Sequence, residues 1–510
     1  MKKESAVQAE RLNSLLSPYP QEIRLALEGL AKQNGMEIFL VGGTVRDALL
    51  GLVPGDLDLT VARDAAGCCR RLIRLLAGGT FVDLGGTGED VARIVFRGMT
   101  IDISGFRGDA RTIAEDLCLR DYTINAMAVP LSSLQEGAGQ VILLDPLIGY
   151  GDLEQGILRS CPAAFSADPL RMLRGFRLSA TLGFGLSEET LAEIARDAAL
   201  IGRAAAERIN HELDLIMASA RAFRTLQTMH GTGLLGWIVP ELYKGLGVEQ
   251  PEFHHLDVFH HSFLALERIE AIIEQPARYY PGSGEALLGY LQKTEVRRCL
   301  KWAALLHDIG KPGTREVQVE REDRVTFYGH DEAGSRLFQG FAERLKWSNE
   351  DRARTGGLIA MHMHPFHLCN VQRTEPLSKR SILKLCKRAG GELCGLFLLA
   401  MADSLASKGE KKPTDMEAEL ADLLRLVLRA YEKDIRSVVN GPPLLSGRDL
   451  IAEFGLQSGP IFAVILKELE ALRVEGRINN RAEAMDWVAA FLRDRPSEGK
   501  KLPFDQDGSF

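Results

Sequence analysis

Short apolar runs of period two, set between glycine-rich breaks, occupy residues 37–105; longer runs of helical spacing occupy the rest. The first pattern predicts strands at 37–41, 57–61, 93–96 and 100–104. Helices are predicted at 64–77 and, entered through Gly42-Gly43, from Thr44 to Leu50. Residues 1–35 read as two helical segments carrying Leu12, Leu15, Leu16, Ile23, Leu25, Leu27 and Leu30, broken near Pro18 and Pro20. From about Asp168 the helical period continues to the C-terminus. Residues 281–284 read as a loop, 441–443 as a linker or turn, and 496–510 as a disordered tail. The fold class is therefore α+β: a small mixed sheet with helices, then helical domains.

Composition narrows this only slightly. At 510 residues the chain needs several cores. Its 45% hydrophobic and 26% charged content is ordinary for a soluble globular protein. Met1-Lys-Lys-Glu-Ser lacks a signal-peptide core, and no uninterrupted apolar run is expected to span a membrane, so no membrane partner is expected. The eight cysteines include the neighbours Cys68 and Cys69 but no Cys-x-x-Cys, which argues against a disulfide framework or zinc ribbon; a reducing cytoplasm is the expected setting. A net charge of −7 argues against a general polyanion binder but permits a local basic strip.

The chemistry lies in three stretches: Leu40-Val-Gly-Gly-Thr-Val-Arg-Asp47, Gly55-Asp-Leu-Asp-Leu-Thr60 and Ile101-Asp-Ile-Ser104. On a strand Asp56 and Asp58 would share a face, roughly 7 Å apart at Cα. Asp102, with the same alternation, can bring a third carboxylate. Convergent carboxylates beside a Gly-Gly turn suit two Mg²⁺ ions roughly 4 Å apart that clamp the attacking and leaving oxygens of a phosphoryl transfer.

Two further stretches, Arg120-Asp-Tyr-Thr-Ile-Asn-Ala-Met127 and Asp168-Pro-Leu-Arg-Met-Leu-Arg-Gly-Phe-Arg177, follow in order. Over roughly residues 35–215 the combination closely resembles the class II (bacterial-type) tRNA nucleotidyltransferase and poly(A) polymerase family. The resemblance implies that Asp56 and Asp58 bind the metals and that Asp102 helps the RNA 3′-hydroxyl attack. It implies that Gly42, Gly43 and Arg46 meet the triphosphate, that Arg120, Arg171 and Arg174 contact the nucleotide, that Asn125 contacts the sugar, and that Asp121 orients its neighbours. Asp168 and Arg171, at i and i+3, would share a helix face and read a base edge in place of a nucleic-acid template. Arg208-Ile-Asn-His-Glu212 would brace that helix, and Arg177 reads as structural. Arg46 and Asp47 could instead pair with each other. The chain departs from the family at Ala167, where a Glu is usual, at Leu119, more often Arg, and in the short stretch between Arg107 and Arg120. That shortness resembles the CC-adding branch, so CTP is the expected substrate.

A second centre is expected in the middle of the chain. Ten of the eleven histidines fall between 230 and 367. They include His254-His-Leu-Asp-Val-Phe-His-His261, Leu305-Leu-His-Asp-Ile-Gly-Lys311, Gly329-His-Asp-Glu332 and Met361-His-Met-His364, followed by Ala402-Asp-Ser404. These resemble the HD phosphohydrolase domain. By that resemblance His261, His307, Asp308 and Asp403 bind a divalent transition metal such as Mn²⁺, Ni²⁺ or Fe²⁺, and His330 and His362 hold a second metal or a phosphate. His255, His260, His364 and His367 read as structural or surface residues.

The implied organisation is an N-terminal helical extension (1–35), a nucleotidyltransferase palm (36–160), a helical nucleotide-recognition neck (161–240), an HD domain (241–405), a C-terminal helical RNA-binding domain (406–495) and a tail (496–510). Basic clusters at Lys379-Arg380, Lys384, Lys387-Arg388, Lys408 and Lys411-Lys412 read either as solvated helix faces or as contacts to a tRNA backbone. The implied activity is addition of CMP (CC), with CCA addition using ATP left as an alternative, to the 3′ end of tRNA or another RNA. A poly(A) polymerase is the near alternative. An HD phosphohydrolase with a vestigial head and a non-catalytic RNA binder are the distant ones.

Overall fold

The computed structural model describes residues 10–493 except 33–35, 54, 86–89, 136–139, 251–252 and 319–323. The expected tail, 496–510, lies outside the described residues. The chain divides into two compact units, Met1–Ile238 and Val239–Phe510.

In the first unit α1 (Gln21–Ala31) leads to β1 (Ile38–Val41), α2 (Gly42–Leu50), β2 (Leu57–Val61), α3 (Ala65–Leu76), β3 (Thr80–Asp83), β4 (Val91–Phe96), β5 (Met99–Gly105), α4 (Ile113–Cys118) and β6 (Ala128–Pro130). The strands form one mixed sheet in the order β3-β4-β5-β2-β1-β6. β1 is flanked by antiparallel β2 and β6 and buries all four residues, which is why it reads as a continuous apolar run. β4 and β5 alternate instead: Ala92, Ile94, Ile101 and Ile103 are buried, while Arg93 and Asp102 lie on the other face. α3 packs Cys68, Cys69 and Leu72 against that inner face. The four expected strands are present with ends shifted by up to two residues. β3, mostly exposed, and β6, three residues long, carry too little pattern to be read in advance.

Beyond the sheet, α5 (Leu170–Leu182) packs on α6 (Ala206–Ala218). The continuous helical reading fails twice: Ile157–Leu158 pairs with Gly185–Leu186, and Glu316–Gln318 with Arg324–Thr326. Two- and three-residue ladders are shorter than one strand period can register.

The second unit contains α7 (Val258–Glu274), α8 (Thr294–Leu306), α9 (His330–Arg344), α10 (Asn349–Met361), α11 (Lys379–Ala389), α12 (Leu393–Ala406) and α13 (Pro460–Glu475). α12 is the core helix, with Leu396 to Ala402 at most 1% exposed and contacts to α7, α8, α10 and α11. The stretch Lys379–Ala406 is long and apolar enough to cross a membrane by length and composition alone, but 72% of its apolar window is buried in the fold, as in the core helix of a globular domain. A separate cluster of Leu450, Ile465, Leu469, Leu472 and Val488 holds the C-terminal helices. Three residues of the basic clusters form ion pairs there. Arg380 pairs with Glu468 and Glu475, Lys387 with Glu470, tying α11 to α13, and Lys379 pairs with Asp434.

Candidate active site and histidine centre

All the expected head residues except Asp168 line one cavity. Its floor is set by strand register. β2 and β5 run parallel with Asp58 directly beside Asp102. Asp56 lies one residue before β2, in the bend after Gly55, rather than on the strand. Pairing to β5 begins at Leu57, and hydrogen bonds to the Asp56 carbonyl from Tyr19 Oη (3.1 Å) and Thr44 Oγ1 (3.3 Å) hold the bend.

Gly42 has φ +61°, and a Cβ on it would lie 3.2 Å from Asp58 Oδ2 and 3.4 Å from Arg120 Nη1. The turn therefore requires glycine twice, for its dihedral and for the close approach of Asp58, whose Oδ2 accepts the Gly43 N–H at 3.1 Å. We expect Gly42→Ala to destabilise the head by about 1–2 kcal/mol from the left-handed backbone alone, and to weaken cation binding by displacing Asp58. A cation titration that matches wild type would contradict this.

Desolvation in the cavity pushes the Asp58 carboxyl above its ordinary range; Arg120 opposes this, and Asp102 and Asp56 add to it. Three adjacent carboxylates with one held against ionisation are the donor set a divalent cation relieves. Asp102 is further held by Arg93 on β4, its cross-strand partner, through two hydrogen bonds of 2.7 and 2.8 Å. Arg93 was missed as a site residue. Its period-two position facing Asp102 is the signal, but only the β4–β5 register turns it into a contact.

Around this floor the arginines are fixed by acids. Arg46 bonds Asp47 (2.7 Å) and the Asn125 side-chain oxygen (2.8 Å). Asn125 donates to Asp121 at 3.1 Å, and Arg174 lies 3.3 Å from the other Asp121 oxygen. Burial opposes ionisation of Asp121, yet Arg174 and the Asn125 bond hold its carboxyl well below the usual range. Arg120 is buried, bonded to Asp116 and to Thr60 Oγ1 at 3.0 Å; burial, then Arg107, push its pKa down to about 10. Arg171 bonds the Arg120 carbonyl at 3.1 Å, and burial pushes it down as well. Arg177 bonds Glu212 on α6 at 2.6 Å.

Asp168 departs from expectation. It does not share a helix face with Arg171, because α5 begins at Leu170 and Asp168 is extended at φ −146°. The residue before a proline, here Pro169, is driven out of the helical region. Its carboxylate pairs with Arg208 at 2.9 Å and accepts the Leu170 N–H, and it does not line the cavity. The stretch Gly108 to Leu119 holds the short ordered helix α4, capped by Thr112 and Glu115.

In the second unit the fold brings His261 of α7, His307 and Asp308 after α8, His330 of α9, His362 after α10 and Asp403 of α12 into one buried cluster. Asp308 stands at its centre. Its Oδ2 is 3.3 Å from His307 Nε2 and 3.6 Å from His261 Nε2; its Oδ1 is 3.4 Å from His330 Nε2 and 3.7 Å from His362 Nε2. Asp403 lies 3.1 Å from His261 Nε2.

Three of these rings are oriented the same way. The Nδ1 atoms of His307, His330 and His362 lie 2.7–2.9 Å from the carbonyls of Ala304, Phe327 and Ile359, three residues upstream. A carbonyl only accepts, so Nδ1 carries the hydrogen, and in a neutral ring Nε2 presents a lone pair. The His330 and His362 Nε2 atoms are nevertheless 3.1 Å apart. Two lone pairs at that distance repel unless a cation or proton sits with them, and Asp308 Oδ1 beside them makes no hydrogen bond. The donor set thus fits divalent metal on both sides of Asp308. Lys311, 2.6 Å from Asp308, and His254, which groups with His261 and Asp403, belong to the centre but were not singled out beforehand. For Lys311 the signal was its i+3 spacing from Asp308.

Comparison with known proteins matches the chain to three family domains. Residues 38–159 match the poly A polymerase head domain, 183–246 the probable RNA and SrmB-binding site of polymerase A, and 258–387 the HD domain. The A-adding tRNA nucleotidyltransferase of Deinococcus radiodurans is 32% identical over 467 residues, covering 90% of this chain and 96% of its own. The CC-adding tRNA nucleotidyltransferase of Thermus thermophilus is 30% identical over 477 residues, covering 92% and 96%. Among solved structures, a CCA-adding enzyme in complex with CTP aligns over 95% of this chain and 98% of its own with a TM-score of 0.62 at 20% identity, a likeness of fold. The head motifs, the HD cluster and these full-length relatives together show that the chain belongs to the bacterial-type (class II) tRNA nucleotidyltransferase and poly(A) polymerase family.

Proposed function

We propose that the head adds nucleotides to the 3′ end of tRNA without a nucleic-acid template, and that CTP is its preferred substrate. The observation that carries the transfer reading is the register that sets Asp58 beside Asp102 in a cavity also lined by Asp56 and six arginines. Two Mg²⁺ ions held by Asp56 and Asp58 would supply Lewis-acid stabilisation of the in-line displacement. The remaining work falls to the chain. Arg46, Arg120 and Arg174 neutralise the triphosphate, a role suited to fixed planar cations. Asp102, held by Arg93, orients the attacking 3′-hydroxyl. Asn125, held by Asp121 and Arg46, meets the sugar. Arg171 reads the base, joined by Asp168 when its exposed pair with Arg208 opens.

The choice of CTP has separate support. The A-adding and CC-adding relatives are similar to this chain to nearly the same degree, so identity does not select the nucleotide. The short, ordered connection through α4 favours a pocket that keeps one shape. The test is incubation with labelled CTP or ATP, Mg²⁺, and tRNAs ending at the discriminator base, C or CC. CTP incorporation into the first two is expected. ATP added to CC ends as readily as CTP to the others would sink the CTP preference. Long ATP tails on unstructured RNA would favour the poly(A) reading, and no transfer at all would remove the proposal.

For the HD cluster we propose phosphoester hydrolysis with Mn²⁺, Ni²⁺ or Fe²⁺, supported by the imidazole-rich donor set around Asp308. A cytoplasmic setting is supported by eight free cysteines, six of them buried.

A further inference from the structure

One fully buried acid of the head has no part in the chemistry above. Asp116, on α4, is 0% exposed. Its Oδ1 accepts the Arg107 main-chain N–H at 2.9 Å and Arg107 Nη1 at 3.0 Å. Its Oδ2 accepts Arg120 Nη2 at 3.1 Å and Nε at 3.3 Å. One carboxylate thus joins two guanidinium groups that both line the nucleotide cavity. Without it the two cations would face each other at close range, partly out of water, with no shared counter-charge between them.

The pair connects onward in two directions. Arg120 Nη2 also donates to Thr60 Oγ1 on β2, two residues from Asp58, and the Arg120 carbonyl accepts Arg171 Nη1 from α5. Asp116 is therefore bonded to the residue that links the carboxylate strand to the base-reading helix. The connection that it anchors is tied at both ends. Asp116 holds Arg107 at one end; at the other, Glu115 accepts the Arg111 main-chain N–H at 2.6 Å and completes the capping box with Thr112. The segment between β5 and α4 is built as a fixed wall, with its side-chain ligands supplied by α4 itself.

We propose that Asp116 is the positioning residue of the nucleotide pocket: it holds Arg107 and Arg120 on the cavity wall and fixes the 107–112 connection, so the pocket keeps one nucleotide shape through successive additions, with Arg107 as a further nucleotide contact. This rests on the nucleotide-adding reading above.

The test uses the full chain with Mg²⁺ and tRNAs lacking or ending in CC. KM and kcat are measured for CTP and ATP in wild type, Asp116→Asn and Arg107→Lys. Asp116→Asn keeps the shape of the side chain but removes the charge that both arginines share. We expect KM for the preferred nucleotide to rise about tenfold, the loss of a charge-assisted bond. The ratio of kcat/KM between the two nucleotides should fall by at least about threefold. Arg107→Lys, at a side chain 34% exposed and so tolerant for folding, should move both quantities in the same direction. A ratio that changes less than this in Asp116→Asn overturns the proposal, as does a loss confined to kcat and equal for both nucleotides. If Asp116→Asn does not fold, the same criteria applied to Arg107→Lys decide. A wild type that prefers ATP would remove the CTP assignment and leave these criteria in force, whereas a wild type without transfer would remove both.

Discussion

Asp58→Ala lowers nucleotide transfer by about 10³-fold or more, equivalent to about 4 kcal/mol of transition-state stabilisation, and leaves the head folded. The size follows from its position. Asp58 is the carboxylate bonded to the Gly43 N–H, in register with Asp102 and adjacent to Arg120. Removing it takes away both the proposed cation ligand and the fixed point of the glycine turn. Stability should move the other way. Its carboxyl is pushed above the usual range by desolvation, so in cation-free buffer the folded head favours the protonated form. That contribution is fully present below the unfolded pKa of about 3.9 and is lost as pH rises through the higher folded value. Melting of wild type in chelator should therefore decline relative to Asp58→Asn as pH rises from acid to neutral, and added Mg²⁺ should raise wild type alone. Equal melting of the two proteins across that range, or transfer that survives Asp58→Ala, would refute this account of the head.

Asp308→Ala should have the second-largest effect: loss of tight divalent metal from the second unit, and with it any metal-dependent phosphoester hydrolysis, while CTP transfer persists. Asp308 offers one oxygen to His261 and His307 and the other to His330 and His362, so it serves both sides. Alanine also strands Lys311, buried and 2.6 Å from the carboxylate. An uncompensated buried charge costs about 3–5 kcal/mol, so Asp308→Asn, which keeps the volume and an acceptor, is the companion variant. Metal content after chelation and reloading, hydrolysis of a simple phosphomonoester, and CTP transfer are measured on the same preparation. Full metal content in both variants, or transfer lost together with hydrolysis, would contradict a separate HD centre.

What could be read in advance divides by range. The Gly-Gly turn, the His-Asp doublet and most strands are local or periodic features, and they appear where expected; of the Asp-x-Asp, Asp58 lies on the strand and Asp56 in the bend before it. The miss at Asp168 was also local: Pro169 directly after it forbids the helical geometry on which the shared face depended. The ion pairs made by the basic clusters of α11 were hidden from a local reading for the opposite reason. Their acidic partners, Glu468, Glu470 and Glu475, lie more than eighty residues away, so nothing nearby marked them as internal pairs.

By itself the sequence determined the kind of chemistry: which local segments carry carboxylates and histidines and which residue types can hold a metal. Periodicity and side-chain type suffice for that, because each strand or helix presents its faces independently of its partners. Only the tertiary structure decided which groups meet. The parallel register places Asp58 beside Asp102 across 44 residues, and the antiparallel one gives Asp102 its Arg93. Asp116 joins Arg107 to Arg120, and packing around α12 aims four histidine nitrogens at Asp308. Register and helix rotation are settled by burying distant apolar faces against one another, and a periodic pattern fixes a face without naming the residue opposite it.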